Sequence, residues 1–377
     1  MSPMSRLFTL MMLIGIASNG WAHKASDSFI YLDESGDGPA TVQVDVALRD
    51  LALILPMDTN GDRQLTGAEF RAAEPRLLEW IGNGVTVASN GQTCALALQQ
   101  WGLSRHSDGP YAASRYRIHC DGGASPTTLD YQLLFDRDPL HRALVSHQRP
   151  EGEALYVMGP EQTRLDLSTP RPSALQTFGT FLYEGVIHLL IGLDHILFLL
   201  LLILPASLAT RPGRRTDGTR TGLSFTSQLW QLAGIVTAFT VAHSITLALS
   251  AFGVVDLPIG WVELVIALSI IVAAINIYWP ILGRKTWKLA FGFGLIHGFG
   301  FASVLGDLTA GITQMAVALA GFNLGVEMGQ LALLAIAFPL LYLLGGLSLH
   351  RRLVAPLAVA SITGISLIWV IERAGAL

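Results

Sequence analysis

The sequence predicts a two-part protein: an exported, mostly β domain followed by an all-α polytopic membrane bundle of six transmembrane helices. Three observations predict it. The first 22 residues have the layout of a signal peptide. Residues 23 to about 172 alternate short β-rich runs with turn-rich stretches. Residues 173–377 then carry six apolar segments, each long enough to cross about 30 Å of hydrocarbon. The bulk numbers agree: of 377 residues, 51% are hydrophobic and 14% charged, with a mean hydropathy of +0.48. That is too apolar for an ordinary soluble protein. The net charge of -4 gives no sign of nucleic-acid binding.

In the leader, Arg6 precedes the apolar run Leu7–Ile16, and Gly20-Trp21-Ala22 supplies small residues at -3 and -1. Cleavage after Ala22 is expected; the apolar run is short for an uncleaved anchor. His23 would become the N-terminus, where an amine and an imidazole can chelate a metal, although any residue can follow a cleavage site. In the domain that follows, strands are expected at Phe29–Leu32, Ala40–Ala47, Val85–Ala88, Cys94–Trp101, Tyr116–Cys120 and Leu129–Phe135, in a largely antiparallel arrangement such as a sandwich. In an oxidising compartment Cys94 and Cys120 form a disulfide or stay as two thiols, and the disulfide is the expectation. The charged stretch Asp136–Arg142 closes the last strand region as a turn, with Asp138 and His141 able to face each other across it. Residues 160–175 read as a linker, and His106, His119 and His147 as surface residues without ligand spacing.

One loop in this domain has metal-binding spacing. Asp58, Asn60, Asp62 and Gln64, with Glu69 closing the loop 58–69, place oxygens at the positions of an EF-hand. Calcium wants six or more oxygens, and Glu69 can supply two. Arg63 stands where that loop needs glycine for a sharp turn. A stabilising calcium or calcium-like site is the expectation, against a simple polar turn.

The six apolar segments fall near 178–204, 227–252, 259–279, 287–306, 312–345 and 353–372. Pro339 in the fifth suggests a tilt, a kink or a re-entrant start. Arg211, Arg214, Arg215 and Arg220 follow the first segment, Arg284, Lys285 and Lys288 the third, and Arg351 and Arg352 the fifth. The intervening loops hold only Asp256 and Asp307. Basic loops face the cytoplasm, which leaves the N-terminal domain outside, as the signal peptide requires. The expected location is a bacterial inner membrane with a periplasmic domain.

Ionisable residues inside these segments are costly and are functional candidates by default. They are Glu184, His188, Asp194, His195, His243, Glu263, His297 and Glu327, with Asn323 as a further oxygen donor. Counted from the outer ends, His188 lies roughly 10–15 Å deep, His243 and His297 roughly 13 Å and Asn323 roughly 16 Å, with His195 and Glu327 nearer the midplane and Glu263 shallower. Groups from separate segments therefore converge in depth. His188 and His195 share a helix face with Glu184, yet a straight helix would part them by about 10.5 Å of rise. Either Gly192 breaks the helix, or the two serve successive positions along a path. Asp194 points elsewhere and is placed to fix a histidine on a neighbouring helix. Gly294 and Gly298, and Gly321, Gly325 and Gly329, carry the small-residue spacing of close helix contacts. Hydrogen-bond glue between helices suffices for Thr237, Ser244 or Asn276; four histidines with three carboxylates point to a divalent transition metal.

The run Gly185-x-x-His188-x-x-x-Gly192-x-Asp194-His195-x-Leu-Phe resembles the HupE/UreJ family of bacterial membrane proteins. The resemblance continues through His243, through His297 in its glycine-rich segment, and through Asn323-x3-Glu327-x2-Gln330. It covers the membrane half, and the N-terminal domain looks like that of a subgroup with an exported extension. The resemblance implies secondary transport of nickel or cobalt. The expectation is a permease whose ion passes Glu263, His243 and Glu184, meets His188, His297 and Asp194/His195, and leaves past Glu327. Two other classes are weighed: an intramembrane zinc-dependent hydrolase, with Ser244 near the metal, and a metal-linked sensing or assembly factor whose soluble domain binds a periplasmic or membrane partner. The chain has no ATP-binding motif.

Overall fold

The computed structural model describes residues 27–36, 38–62, 64–106, 109–209, 224–255, 257–279, 286–306 and 312–375. The signal sequence 1–22, His23, Arg63, Asp256, Asp307 and the arginines and lysine of 211–220 and 284–285 lie outside the described residues.

The N-terminal region holds two sheets. Strands β1 (Asp27–Asp33), β2 (Thr41–Ala47), β5 (Ala95–His106), β6 (Gly109–His119), β8 (Arg142–Arg149) and β9 (Gly152–Met158) form a six-stranded sheet in the order β5-β6-β2-β1-β8-β9. Strands β3 (Val85–Ser89), β4 (Gln92–Thr93), β7 (Thr128–Tyr131) and β10 (Arg164–Asp166) form the second, in the order β10-β7-β3-β4. All pairings are antiparallel except β1 with β8. Helix α1 (Leu48–Ile54) and helix α2 (Gly67–Gly84) complete the region. Phe70, Ala73, Leu77 and Ile81 recur at helical spacing on α2 and bury one face into the core shared with Ile30, Val42, Val44 and Val145. Thr66 and Glu69 cap its start reciprocally. Cys94 and Cys120 are joined by a disulfide.

Three expectations are corrected here. The stretch Asp136–Arg142 does not end the strand region: β8, β9 and β10 follow it, the last inside the expected linker. His141 meets Asp138 across the turn through the backbone, its N–H donating to Asp138 O at 3.0 Å, but not through its ring: that is fully buried with Nε2 2.8 Å from the Tyr131 hydroxyl, while the Asp138 carboxylate accepts from Leu140 N–H. His106 and His147 are buried rather than superficial. Each has a carboxylate at 2.7 Å, Asp45 for His106 and Glu34 for His147, which explains how an imidazole is accommodated there.

The C-terminal part is helical: α3 (Ala174–Ile191), α4 (Leu193–Ala209), α5 (Phe225–Ala251), α6 (Ile259–Tyr278), α7 (Thr286–Gly306), α8 (Ile312–Leu344) and α9 (Ala355–Gly375), with a π-helical turn, His350–Val354, before α9. Five of these, α3, α5, α6, α8 and α9 with its leading turn, are long and apolar enough to cross a membrane. The expected first segment is two helices, divided at Gly192. The fifth is one helix of 33 residues that continues through Pro339.

Two parallel helix pairs pack through glycine. On α8, a Cβ at Gly321 would stand 2.5 Å from Phe178 O, and one at Gly325 2.0 Å from Leu182 O on α3. On α7, a Cβ at Gly294 would stand 2.4 Å from Phe239 O, and one at Gly298 2.3 Å from His243 O on α5. Only glycine permits such approach between backbones.

The six-stranded sheet is apolar on both faces, and the second face seats on the helices. Phe29, Tyr111, Leu144 and Leu155 cluster with Phe181 of α3, Leu247 and Ala251 of α5, and Met315, Leu319 and Phe322 of α8. The sheet thus covers one end of the bundle. At the other end Phe225 stacks on Phe338 and Ser207 meets His350.

Candidate metal centre

The site forms where α3, α4, α5 and α7 meet. Helix α3 ends at His188–Ile191, and Gly192 leaves helical geometry at ψ 88°. Helix α4 restarts at once at Leu193. Gly192 is required sterically: a Cβ there would lie 2.8 Å from His195 Nδ1, 3.0 Å from His188 O and 3.2 Å from Asp194 Oδ1. The break brings the His188 and His195 rings to 5.1 Å between centroids.

His195 is the hub. Its ring also stands 6.0 Å from that of His243 on α5 and 5.4 Å from that of His297 on α7. Two imidazoles bound to one tetrahedral ion place their centroids about 5 Å apart, given metal–nitrogen bonds of about 2 Å. The observed spacing is at or just beyond that value. Among the described residues, no three His, Cys, Asp or Glu groups are gathered tightly round one point.

Asp194 lies in the first turn of α4, where a carboxylate suits the helix N-terminus. Its Oδ1 accepts from the His195 N–H at 2.8 Å and stands 3.0 Å from His195 Nδ1. It therefore orients its own neighbour rather than a histidine on another helix, a correction to the sequence reading. With Nδ1 so engaged, Nε2 is the ring nitrogen of His195 left to meet a ligand. His297 is fixed in the same way by Phe293 O, 2.8 Å from its Nδ1. The Nε2 atoms of His195, His243 and His297, and Nδ1 of His243, are buried without a hydrogen-bond partner. Each such atom costs about 1–3 kcal/mol unless something binds it.

Phenylalanines close the side away from the sheet domain. Phe198, Phe239 and Phe293 stand one turn from His195, His243 and His297, and all three are buried. Phe198 lies 5.4 Å from Phe239 and 5.3 Å from Phe293 by ring centroid. No pattern in the sequence pointed to this floor except the i±3 and i±4 offsets from the histidines.

The other candidates have partners of their own. Glu184, one turn before His188, faces Arg142 of β8, with Oε2 and Nε 3.5 Å apart. Asn323 donates to Leu319 O, and its Oδ1 is buried without a partner. Glu327 accepts from Thr237 at 2.7 Å, and Gln330 from Thr240 at 3.0 Å. The Glu263 carboxylate lies 3.9 Å from Arg373 Nε. Ser244 donates to Thr240 O. In the loop 58–69, Asp58, Asn60 and Asp62 accept from Gly61, Asp62 and Gln64 N–H, and both Glu69 oxygens are engaged by Thr59 and Thr66.

Fold and site together define a protein with an apolar helical part, a histidine–aspartate cluster between its helices, and a sheet domain over one end. The chain belongs to the HupE / UreJ protein family, whose model matches residues 163–373. The match takes in β10, the helices α3 to α8 and α9 up to Arg373. No curated protein matches the chain. The family is associated with metal transport rather than catalysis.

Proposed function

We propose that the protein is a permease for a divalent transition metal, nickel or cobalt, in the bacterial inner membrane. The observation that carries this reading is the meeting of the His188, His243 and His297 imidazoles, from three helices, around His195 on a fourth. Imidazole nitrogen with a single carboxylate suits nickel and cobalt better than it suits magnesium or calcium. Centres slightly too far apart for one rigid site favour an ion that is passed on, since conduction needs sites weak enough to leave.

In this reading α3 and α4 form one broken crossing, and α5 to α9 supply five more. The sheet domain, following a cleaved signal peptide, is periplasmic, and the basic loops are cytoplasmic. Exposed Trp230, Trp279 and Trp287 near the helix ends on the basic-loop side, and Trp261 near the opposite end, suit the two lipid interfaces. The ion enters past Glu184 and is held among His188, His195, His243 and His297 with Asp194 behind. It leaves past the phenylalanine floor and Glu327. Glu263 sits with Arg373 and is not needed on this route.

The test is uptake of radioactive nickel by cells producing the wild type or His195→Ala at equal membrane levels. The variant should fall to the vector background; undiminished uptake would overturn the assignment.

A further inference from the structure

We propose that Arg142, carried by the sheet domain, is a tethered counter-cation for the outermost carboxylate of the path, Glu184, and thereby sets the metal concentration at which transport half-saturates. This inference rests on the permease reading.

Strand alternation places Arg142. On β8, Ala143 and Val145 enter the core of the sheet domain, while Leu144 joins the cluster against Phe181 and Phe322. Arg142, two residues from Leu144, therefore shares its helix-facing side. Its Nε stands 3.5 Å from Glu184 Oε2, with the two side chains only 12% and 19% exposed. The guanidinium is held from its own domain: Nη1 donates to His141 O at 2.9 Å and to Pro139 O at 3.3 Å. Gly159 leaves room for it, since a Cβ there would lie 3.3 Å from Nη1. The charge thus comes prepositioned on the sheet.

Glu184 lies one turn, about 6 Å of rise, before His188. The His188 ring in turn packs on Phe322, which belongs to the docked apolar cluster. An ion moving from the covered end toward His188 reaches Glu184 with that charge already balanced. A guanidinium keeps its proton at any ordinary pH, so the ion must displace it or share the carboxylate against like charge. The contact is not needed to hold the domain down, because Phe29, Tyr111, Leu144 and Leu155 already seat on α3, α5 and α8. Its effect falls on the ion.

The experiment measures initial nickel uptake against free nickel in cells producing wild type, Arg142→Gln, Glu184→Gln, the double variant and Arg142→Lys at matched levels. Arg142→Gln should lower the half-saturating nickel concentration about fivefold, the scale of a partly exposed charge pair. Arg142→Lys should stay near wild type. In the Glu184→Gln background, Arg142→Gln should change nothing further. An unchanged half-saturation in Arg142→Gln, or an equal shift with and without Glu184, overturns the proposal. Hydrogen exchange over β1 and β8, whose second face is covered by the helices, reports in each variant whether the domain stays seated. If Arg142→Gln unseats it, the charge-retaining Arg142→Lys and the cramped Gly159→Ala decide: the first should match wild type and the second should lower half-saturation, and the reverse pattern overturns the proposal. A wild type that imports no more nickel than vector cells sinks the permease reading and this inference with it. Normal wild-type uptake with insensitive Arg142 variants sinks this inference alone.

Discussion

His188 and His195 stand 5.1 Å apart by ring centroid although seven residues separate them, because the helix that carries the first stops at Gly192 and a new one carries the second. On an unbroken helix the same pair would be parted by about 10.5 Å of rise. Gly192→Ala tests the break. Its methyl would press on His195 Nδ1 and His188 O and would favour a continuous helix. We expect a protein that still inserts and folds but imports nickel at least tenfold more slowly. Uptake by the purified variant in liposomes, alongside its melting temperature, separates the local effect from general loss of fold.

Asp194→Asn probes the partner of His195. The amide keeps the volume but removes the charge that holds Nδ1, so the ring loses its fixed tautomer and orientation. Outer partners of this kind typically contribute 10–100-fold in metal affinity. Isothermal titration of the detergent-solubilised protein with nickel should show a loss of that size. An affinity equal to wild type would mean that His195 does not take the metal through Nε2.

Much of this was legible from particular residues. Gly294, Gly298, Gly321 and Gly325 announced close helix contacts by spacing alone, and each now faces a backbone carbonyl on a parallel helix. Depth counting brought His188, His243 and His297 to one level, whereas it left His195 deeper, and the break at Gly192 is what brings that ring to the others. What escaped depended on partners distant in the chain or on geometry created by folding. His106 is buried because Asp45, 61 residues away, meets it. Strand β8 escaped because both its faces are buried, one in the domain core and one against the helices, so Leu144 and Val145 break the alternation that marks a half-exposed strand. The Asp194–His195 contact requires a helix to begin at Leu193, which residue spacing on one straight helix cannot reveal.

Gly298→Ala addresses the α5–α7 contact that sets the distance between His243 and His297. The added methyl would meet Thr246 Oγ1 and His243 O at 2.0 and 2.3 Å, so the two helices must part. Overpacking of this kind costs about 1–3 kcal/mol. We expect a lowered melting temperature together with loss of uptake. In the parallel variant Gly292→Ala, where a Cβ meets nothing within 4 Å, both quantities should stay near wild type. Equal behaviour of the two variants would show that the close approach is unimportant.

Glu69 gives the sheet domain an acid-sensitive point and decides how the loop 58–69 meets calcium. Hydrogen bonds from the Thr66 and Thr59 backbone and hydroxyl groups pull its carboxyl from 4.5 down to about 2. A depressed carboxyl stabilises the fold fully above its unfolded pKa, and that contribution drains away as pH falls from about 4.5 through about 2. Hydrogen-exchange protection over residues 58–84, corrected for the intrinsic rate, should therefore fall in that window in wild type, and Glu69→Gln should flatten the change. The loop supplies hard oxygens from Asp58, Asn60, Asp62, Gln64 and Glu69, which suit calcium. To use Glu69, however, the ion must take it from Thr59 and Thr66, which hold the cap of α2. We accordingly expect calcium binding no tighter than the millimolar range that weak extracellular sites show, measured by titration calorimetry on the full protein at neutral pH. Micromolar binding that survives Glu69→Gln would overturn this account of the loop.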